Sequence, residues 1–427
     1  MPSPETTLTA DSAALDHGAP PPECRFCRAP LRHTVIDLGM SPLCESYLRP
    51  EQLDAMEPFY PLHVRVCEEC FLVQLQEYVP PDEIFTEYAY FSSYSESWVR
   101  HALTYADAMI ERFGLTDDSL VVEVASNDGY LLQHFVARGV PVLGIEPAEN
   151  VARDATERGI PTRVEFFGRE LGQRLAEEGR RADVVAANNV LAQVPDLNDF
   201  VGGLALVLAD EGVLTVEFPH LMRLIDENQF DTIYHEHFSY FSFRTACEIL
   251  AAHGLRVFDV EELASHGGSL RLYACLEASS HATTDRIEEL GKREDAAGYR
   301  TLEPYASFRE GVEETKRALL DFLIRAKRDG RSVAGYGAPG KGNTLLNYCG
   351  IRTDLVDFTV DRNPYKQGLF LPGTHIPILE PEALARSRPD YILILPWNLR
   401  SEIANQLEYA RKWDARFVVA IPGLEVE

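Results

Sequence analysis

A chain of 427 residues, 45% of them hydrophobic and 25% charged, can bury more than one core, which excludes a small stapled scaffold and predicts two or three domains. The formal net charge of -27 argues against DNA or RNA as a partner, because phosphate binding is driven by clustered Lys and Arg that release counterions. No apolar run approaches the roughly 18 residues of a membrane span. Met1 to Pro22 has neither the basic nor the apolar region of a leader, so a cytoplasmic protein without a membrane partner is expected.

Residues 1–22 are rich in Pro, Ala, Ser and Thr and are expected to be a disordered tail, since they bury too little apolar surface to offset the entropy of ordering. A zinc-binding module is expected over 23–95. It holds two CxxC pairs, Cys24/Cys27 and Cys67/Cys70, with strand-like pieces at Leu62–Val66 and Phe71–Leu75. Four thiolates on two tight knuckles suit tetrahedral Zn²⁺, and four protein ligands leave no open position, so the metal is structural. Cys44, Cys247, Cys275 and Cys349 stand alone.

The next unit, 96–283, opens on an amphipathic helix predicted over Glu96–Phe113. Strand patterns at Leu120–Ala125, Val142–Glu146, Thr162–Phe167, Asp183–Asn188 and Gly212–Phe218 then alternate with helical ones. That alternation predicts an α/β doubly wound sheet. From 284 to 427 the chain predicts a bridge of two helices, Thr284–Ala296 and Leu302–Arg328. A smaller Rossmann-like unit follows, with strands at Ser332–Tyr336, Leu355–Val360, Tyr391–Pro396 and Phe417–Ile421.

The first strand of the middle unit, containing Glu123, runs through Ala125 into Ser126-Asn127-Asp128-Gly129 and then a helix predicted from near Tyr130. Such a loop exposes N–H groups beside a helix N-terminus, where a ligand carboxylate can sit. Glu146, followed by Pro147, ends the next strand and is placed to accept hydrogen bonds from ribose hydroxyls; Asn188 and Asn189 end a later strand on the same carboxyl edge. A competing loop, Gly335-Tyr-Gly337-Ala-Pro-Gly340, matches GxGxxG with Asp361 downstream, as an NAD site would have. Read as a P-loop, the same stretch fails, because Gly342 stands where Ser or Thr should meet Mg²⁺.

Tyr234-His235-Glu236-His237 gathers two imidazoles, a carboxylate and a phenol after the fifth strand. It is not a zinc-peptidase HExxH. In an extended segment Tyr234 and Glu236 would project one way and both histidines the other; a loop relaxes this. Histidine suits a general base near neutral pH, a carboxylate can orient it, and a phenol can hydrogen-bond a developing enolate oxygen.

These motifs resemble the nucleotide-sugar C-methyltransferases that act on TDP-linked 4-keto deoxysugars, notably C-3'-methyltransferases of antibiotic sugar pathways. The resemblance is carried by the cysteine pairs, YAYFSSYS from Tyr88, EVASNDGYLL from Glu123, GIEP ending at Pro147, NNVLAQVPDLNDF from Asn188, YHEHFSYFS from Tyr234, GYGAPGKGNTLLNY from Gly335 and VDRNPYKQG from Val360. It implies a class I SAM-methyltransferase sheet in the middle, with S-adenosylmethionine (SAM) bound there, and a C-terminal Rossmann-like domain that helps enclose the nucleotide sugar without NAD. By position it implies His237 as base, Tyr234 and Glu236 as its support, and Tyr88 in the sugar pocket. One departure stands out: the family usually has histidine where this chain has Gln193, and glutamine hydrogen-bonds but moves no proton. Tyr90, Phe91, Ser92 and Lys341 are candidate substrate contacts. The rival functions are an NAD-dependent oxidoreductase or epimerase using Gly335–Gly340, and a scaffold that only binds nucleotide sugars.

Overall fold

The computed structural model describes residues 21–81, 92–94 and 96–427. Most of the expected tail, and the expected pocket residues Tyr88, Tyr90 and Phe91, lie outside the described residues.

Among the described residues the chain forms three β-sheets. The first is antiparallel, β1 (His33–Ser41), β2 (Tyr60–Val66) and β3 (Val73–Leu75), completed far along the chain by β9 (Ser239–Tyr240) on the β3 edge. The central sheet has seven strands: β4 (Val121–Val124), β5 (Val142–Ile145), β6 (Thr162–Arg163), β7 (Ala182–Asn188), β8 (Leu208–Pro219), β10 (Leu255–Leu263) and β11 (Ser269–Leu276). Their order is β6-β5-β4-β7-β8-β11-β10, with β11 alone running against the others. The third sheet, β14 (Ile378–Leu379), β13 (Thr359–Val360), β12 (Val333–Tyr336), β15 (Tyr391–Ile394) and β16 (Arg416–Val419), is parallel and ends on antiparallel β17 (Glu425–Val426).

Strands β4 and β5 are covered on both faces: every residue of both is buried, and Glu123 is the one charged side chain among them. Helix Arg169–Glu177 packs tightly on helix Leu197–Val207, where Gly172 and Gly203 meet so closely that a Cβ on Gly172 would lie 2.6 Å from the Gly203 carbonyl oxygen. The first and third sheets share one core, in which Val35, Leu38 and Val64 meet Phe308, Val312 and Leu319 of the long helix Glu303–Arg328. The helix Glu96–Phe113 stands where the sequence predicts it.

Several predicted strands are shorter than their hydrophobic runs. Thr162–Phe167 is a strand only to Arg163, and Glu165, Phe166 and Phe167 turn into a cavity instead. In Phe71–Leu75, Phe71 takes a left-handed φ of 57° that closes a cysteine knuckle, so the strand starts at Val73. Leu355 and Val356 donate N–H to the Arg352 carbonyl and turn before the strand starts at Thr359. The helix expected from Tyr130 begins at Leu132. Strands β1, β10 and β11 have no counterpart in the sequence reading.

Candidate functional site

The two CxxC segments fold into matching knuckles: Arg28 N–H donates to the Cys24 carbonyl and Phe71 N–H to the Cys67 carbonyl, each at 3.0 Å, with Arg28 and Phe71 both left-handed. The four sulfurs lie within 4.8 Å of one another, with Cys24 to Cys70 at 3.6 Å and Cys27 to Cys67 at 3.5 Å. A tetrahedral Zn²⁺ with bonds of about 2.3 Å needs sulfurs about 3.8 Å apart. The donor set therefore fits zinc, and Gln74 Nε2 donates to Cys24 Sγ at 3.2 Å as an outer partner. None of the four cysteines lines the large cavity described next.

That cavity, about 510 Å³, opens at the carboxyl ends of the central strands and is walled by all three sheets' connections. One half is the expected cofactor region. Ala125, Asn127 and Asn189 adopt left-handed φ of 58°, 49° and 56°, doing with ordinary side chains what glycine does in more open loops. Glu146 ends β5 and accepts the Asn127 and Ala148 N–H groups, one on each oxygen at 2.9 Å, which fixes the carboxylate and leaves lone pairs on both oxygens. Burial raises its pKa while these N–H bonds oppose the rise. Asn188 Oδ1 and Asn189 Nδ2, both in cavity-lining residues, are buried without a partner among the described residues. Orphaned polar atoms beside a fixed carboxylate suit a ligand carrying ribose hydroxyls and polar edges, so the residues present fit SAM.

Not every predicted cofactor residue reaches that cavity. Ala125, Asn127, Glu146, Pro147, Asn188 and Asn189 line it; Glu123, Asp128 and Gly129 do not. Glu123 is 1% exposed within β4, and burial, followed by the charges of Glu146 and Asp128, pushes its carboxyl well above the usual range. Asp128 instead binds the Ser93 N–H and hydroxyl and pairs with Arg158, while Asn127 Oδ1 accepts Ser92 N–H at 2.9 Å. The loop thus clamps residues 92–93 onto the cofactor region, and Ser92 lines the cavity.

The other half holds Tyr234, Glu236 and His237 together. The segment is a turn, not an extended strand: His237 N–H donates to the Tyr234 carbonyl at 2.9 Å, and the two rings lie 4.2 Å apart. Alternation is broken accordingly. His235 turns away to the Pro61 carbonyl at 3.2 Å, and Glu236 accepts the Cys44 thiol at 3.5 Å. His237 Nδ1 lies 3.2 Å from the Thr232 carbonyl, which only accepts, so Nδ1 carries the proton and Nε2 keeps its lone pair. Burial drives this imidazole down to about 3, so it is neutral at pH 7. Burial pushes the Tyr234 phenol far up, keeping it a donor. Gln193 reaches the same cavity from the turn Leu191–Gln193.

The GxGxxG loop is already filled by protein. Asp361, the expected ribose acceptor, takes the Ala338 N–H at 2.7 Å. Tyr47 hydroxyl and Lys366 Nζ both donate to the Ala338 carbonyl, at 2.6 and 2.9 Å. A Cβ on Gly340 would lie 2.9 Å from Cys44 Sγ. The glycines here admit a segment of the zinc module where a dinucleotide would need to approach. Lys341, just inside the helix Gly340–Cys349, does line the cavity, held by Asn398 Oδ1 at 2.9 Å and over the Trp397 ring at 4.8 Å.

Sequence reasoning missed Trp98, Phe166, Phe167, His266 and Lys366 in the cavity wall. Trp98 sits on a helix whose apolar period reads as core, and His266 lies in a turn between two strands that the sequence does not announce.

Seven strands in the order found, with one antiparallel strand inserted next to the edge, and a ligand cavity at their carboxyl ends define a class I SAM-dependent methyltransferase. Known relatives agree. Three family models match the chain: a zinc binding domain over residues 24–85, a methyltransferase domain over 98–260 and a C-methyltransferase C-terminal domain over 264–422. The chain is 38% identical over 400 residues to the C-methyltransferase NovU of Streptomyces niveus, spanning 94% of this chain and 95% of that protein. It belongs to this family of zinc-containing, SAM-dependent C-methyltransferases. Similar solved structures include magnesium protoporphyrin IX methyltransferase from Synechocystis PCC 6803 with bound SAH, at 16% identity and TM-score 0.33, covering 41% of this chain and 82% of that one. A SAM-dependent methyltransferase from Clostridium acetobutylicum is 11% identical with TM-score 0.34, covering 42% and 92%. No helix among the described residues is long and apolar enough to cross a membrane.

Proposed function

We propose that this enzyme methylates carbon on a TDP-linked 4-keto deoxysugar, at C-3', after His237 removes the proton beside the ketone. The observation that carries the reading is the Nδ1 contact of His237 with the Thr232 carbonyl, which commits Nε2 to proton acceptance. Carbon beside a carbonyl becomes a nucleophile only once that proton is gone, so the site needs a base and a donor to the resulting enolate oxygen. SAM, when bound near Glu146, supplies the electrophilic methyl group. Tyr234, held protonated, donates to the oxyanion, with Gln193 as a second polar contact, and Glu236 supports the turn that carries the base. Lys341 and Ser92 bind the nucleotide sugar, together with Tyr88, Tyr90 and Phe91 of the aromatic run that precedes Ser92 in sequence. Closing all three units around one cavity excludes water and holds donor and acceptor carbon in line. We place the enzyme in the cytoplasm, in antibiotic deoxysugar biosynthesis.

The test is incubation with SAM and a panel of TDP-linked 4-keto deoxysugars. The expected product gains one methylene in mass and shows a methyl group on carbon by NMR. Methylation on oxygen, or no gain with any keto sugar, overturns the reading.

A further inference from the structure

The turn between β10 and β11 carries an imidazole that the proposed reaction leaves unused. His266 lines the cavity with a left-handed φ of 54°, followed by Gly267 at 91° and Gly268 at 117°. A side chain other than glycine in this conformation is disfavoured, and such positions persist where the surroundings enforce them. Here the surroundings do. A Cβ on Gly267 would meet Trp397 at 2.5 Å, Gln229 Nε2 donates to the Gly267 carbonyl at 2.7 Å, and Ser265 hydroxyl donates to Glu217 at 3.0 Å.

The imidazole stands edge-on to Trp98 at 5.1 Å, and neither ring nitrogen has a hydrogen-bond partner among the described residues. Burial brings it down to about 4, with Lys341 acting in the same direction and Glu217 against it. At pH 7 it is therefore neutral and offers one N–H.

We propose that His266 is a second catalytic imidazole of this site, whose N–H hydrogen-bonds the ketone oxygen of the bound sugar and the enolate oxygen formed from it. The inference rests on the keto-sugar reading above. His237 Nε2 takes the proton as the carbon–hydrogen bond breaks, and its electron pair moves into the enolate, whose oxygen His266 stabilises. The new carbon–carbon bond then forms as the donor's carbon–sulfur bond breaks, and the proton on His237 leaves to solvent. A neutral second imidazole suits this sequence, because Lys341 already lowers the proton affinity of His237 and a second cation would oppose proton uptake further.

The experiment compares the zinc-loaded wild type with His266→Ala and His266→Asn. Asn tolerates the left-handed backbone and retains an N–H donor. Deuterium exchange at the carbon beside the ketone is measured with SAH present, alongside methyl transfer and SAH affinity. We expect His266→Ala to lose about 100-fold in both rates with SAH affinity unchanged, and His266→Asn to recover part of the loss. Wild-type exchange with an undiminished Ala variant overturns the role of His266 alone. Absence of exchange in the wild type overturns the keto-sugar reading and this role with it.

Discussion

The rings of Tyr234 and His237 lie 4.2 Å apart, tilted by 35°, because a single turn closed between their own backbones folds one onto the other. The same turn sends His235 out to the Pro61 carbonyl, so two histidines separated by one residue face different parts of the molecule. His237 is thereby held by its backbone turn and by the tilted Tyr234 ring, with Nε2 outside the Thr232 contact, as the proposed proton acceptor requires.

Replacing His237 with Ala is expected to lower kcat/KM for methyl transfer by about 10²- to 10⁴-fold, the range for loss of a general base. SAH affinity, measured by calorimetry, should stay within error, since the cofactor region lies around Glu146.

Zinc acts on the site through the fold. Leu75 N–H donates to the Phe238 carbonyl at 3.0 Å and β3 pairs with β9, so the zinc module is stitched to the residues immediately after His237. Cys67→Ser should lower bound zinc and abolish methyl transfer although Cys67 lies outside the cavity. Zinc content measured beside activity checks this; full activity in a zinc-free protein contradicts it.

Glu217 anchors the wall behind the cavity. Burial opposes its ionisation, but the His101 hydrogen bond and the Arg271 charge outweigh burial and bring the carboxyl down to about 2. A carboxyl depressed on folding contributes stability above its unfolded pKa of roughly 4.3 and loses it as pH falls toward 2. Glu217→Gln is expected to destabilise by about 3 kcal/mol at pH 7. Urea unfolding at pH 7 and pH 3 should show the gap between variant and wild type narrowing at the lower pH.

Ala125 holds a left-handed φ of 58° in the cofactor loop. Ala125→Gly should stabilise by about 0.5–1 kcal/mol, since the relief of left-handed strain exceeds glycine's extra chain entropy. A shift of the urea midpoint to higher concentration at constant slope checks it.

Gln193 lines the cavity together with Tyr234 and His237, where it can donate or accept hydrogen bonds and cannot move a proton. Gln193→His is expected to change turnover or the choice among keto sugars. Unchanged rates on every sugar of the panel would remove Gln193 from the chemistry.

The sequence made most of the sheets visible wherever burial imposes a pattern. Val142–Ile145 and, Glu123 apart, Val121–Val124 are buried on both faces and read as apolar runs, and the four cysteines read as zinc by chemistry alone. What it hid were features made by contacts distant in the chain. The GxGxxG loop carries a dinucleotide pattern, yet its space is taken by Cys44 and Tyr47, nearly 300 residues away. His266 enters the cavity only because β11 inserts between β10 and β8 and turns the connection inward, an arrangement with no local signature. Asp128 reads as a cofactor residue from its loop, while its partners Ser93 and Arg158 assign it to clamping that loop.

The most direct test is the structure of a ternary complex with SAH and a TDP-linked 4-keto deoxysugar. The predicted result places His237 Nε2 within about 3.5 Å of C-3', with the SAH sulfur beyond that carbon and its ribose on Glu146. A His237 ring turned out of the cavity, or SAH lodged away from Glu146, would contradict the account.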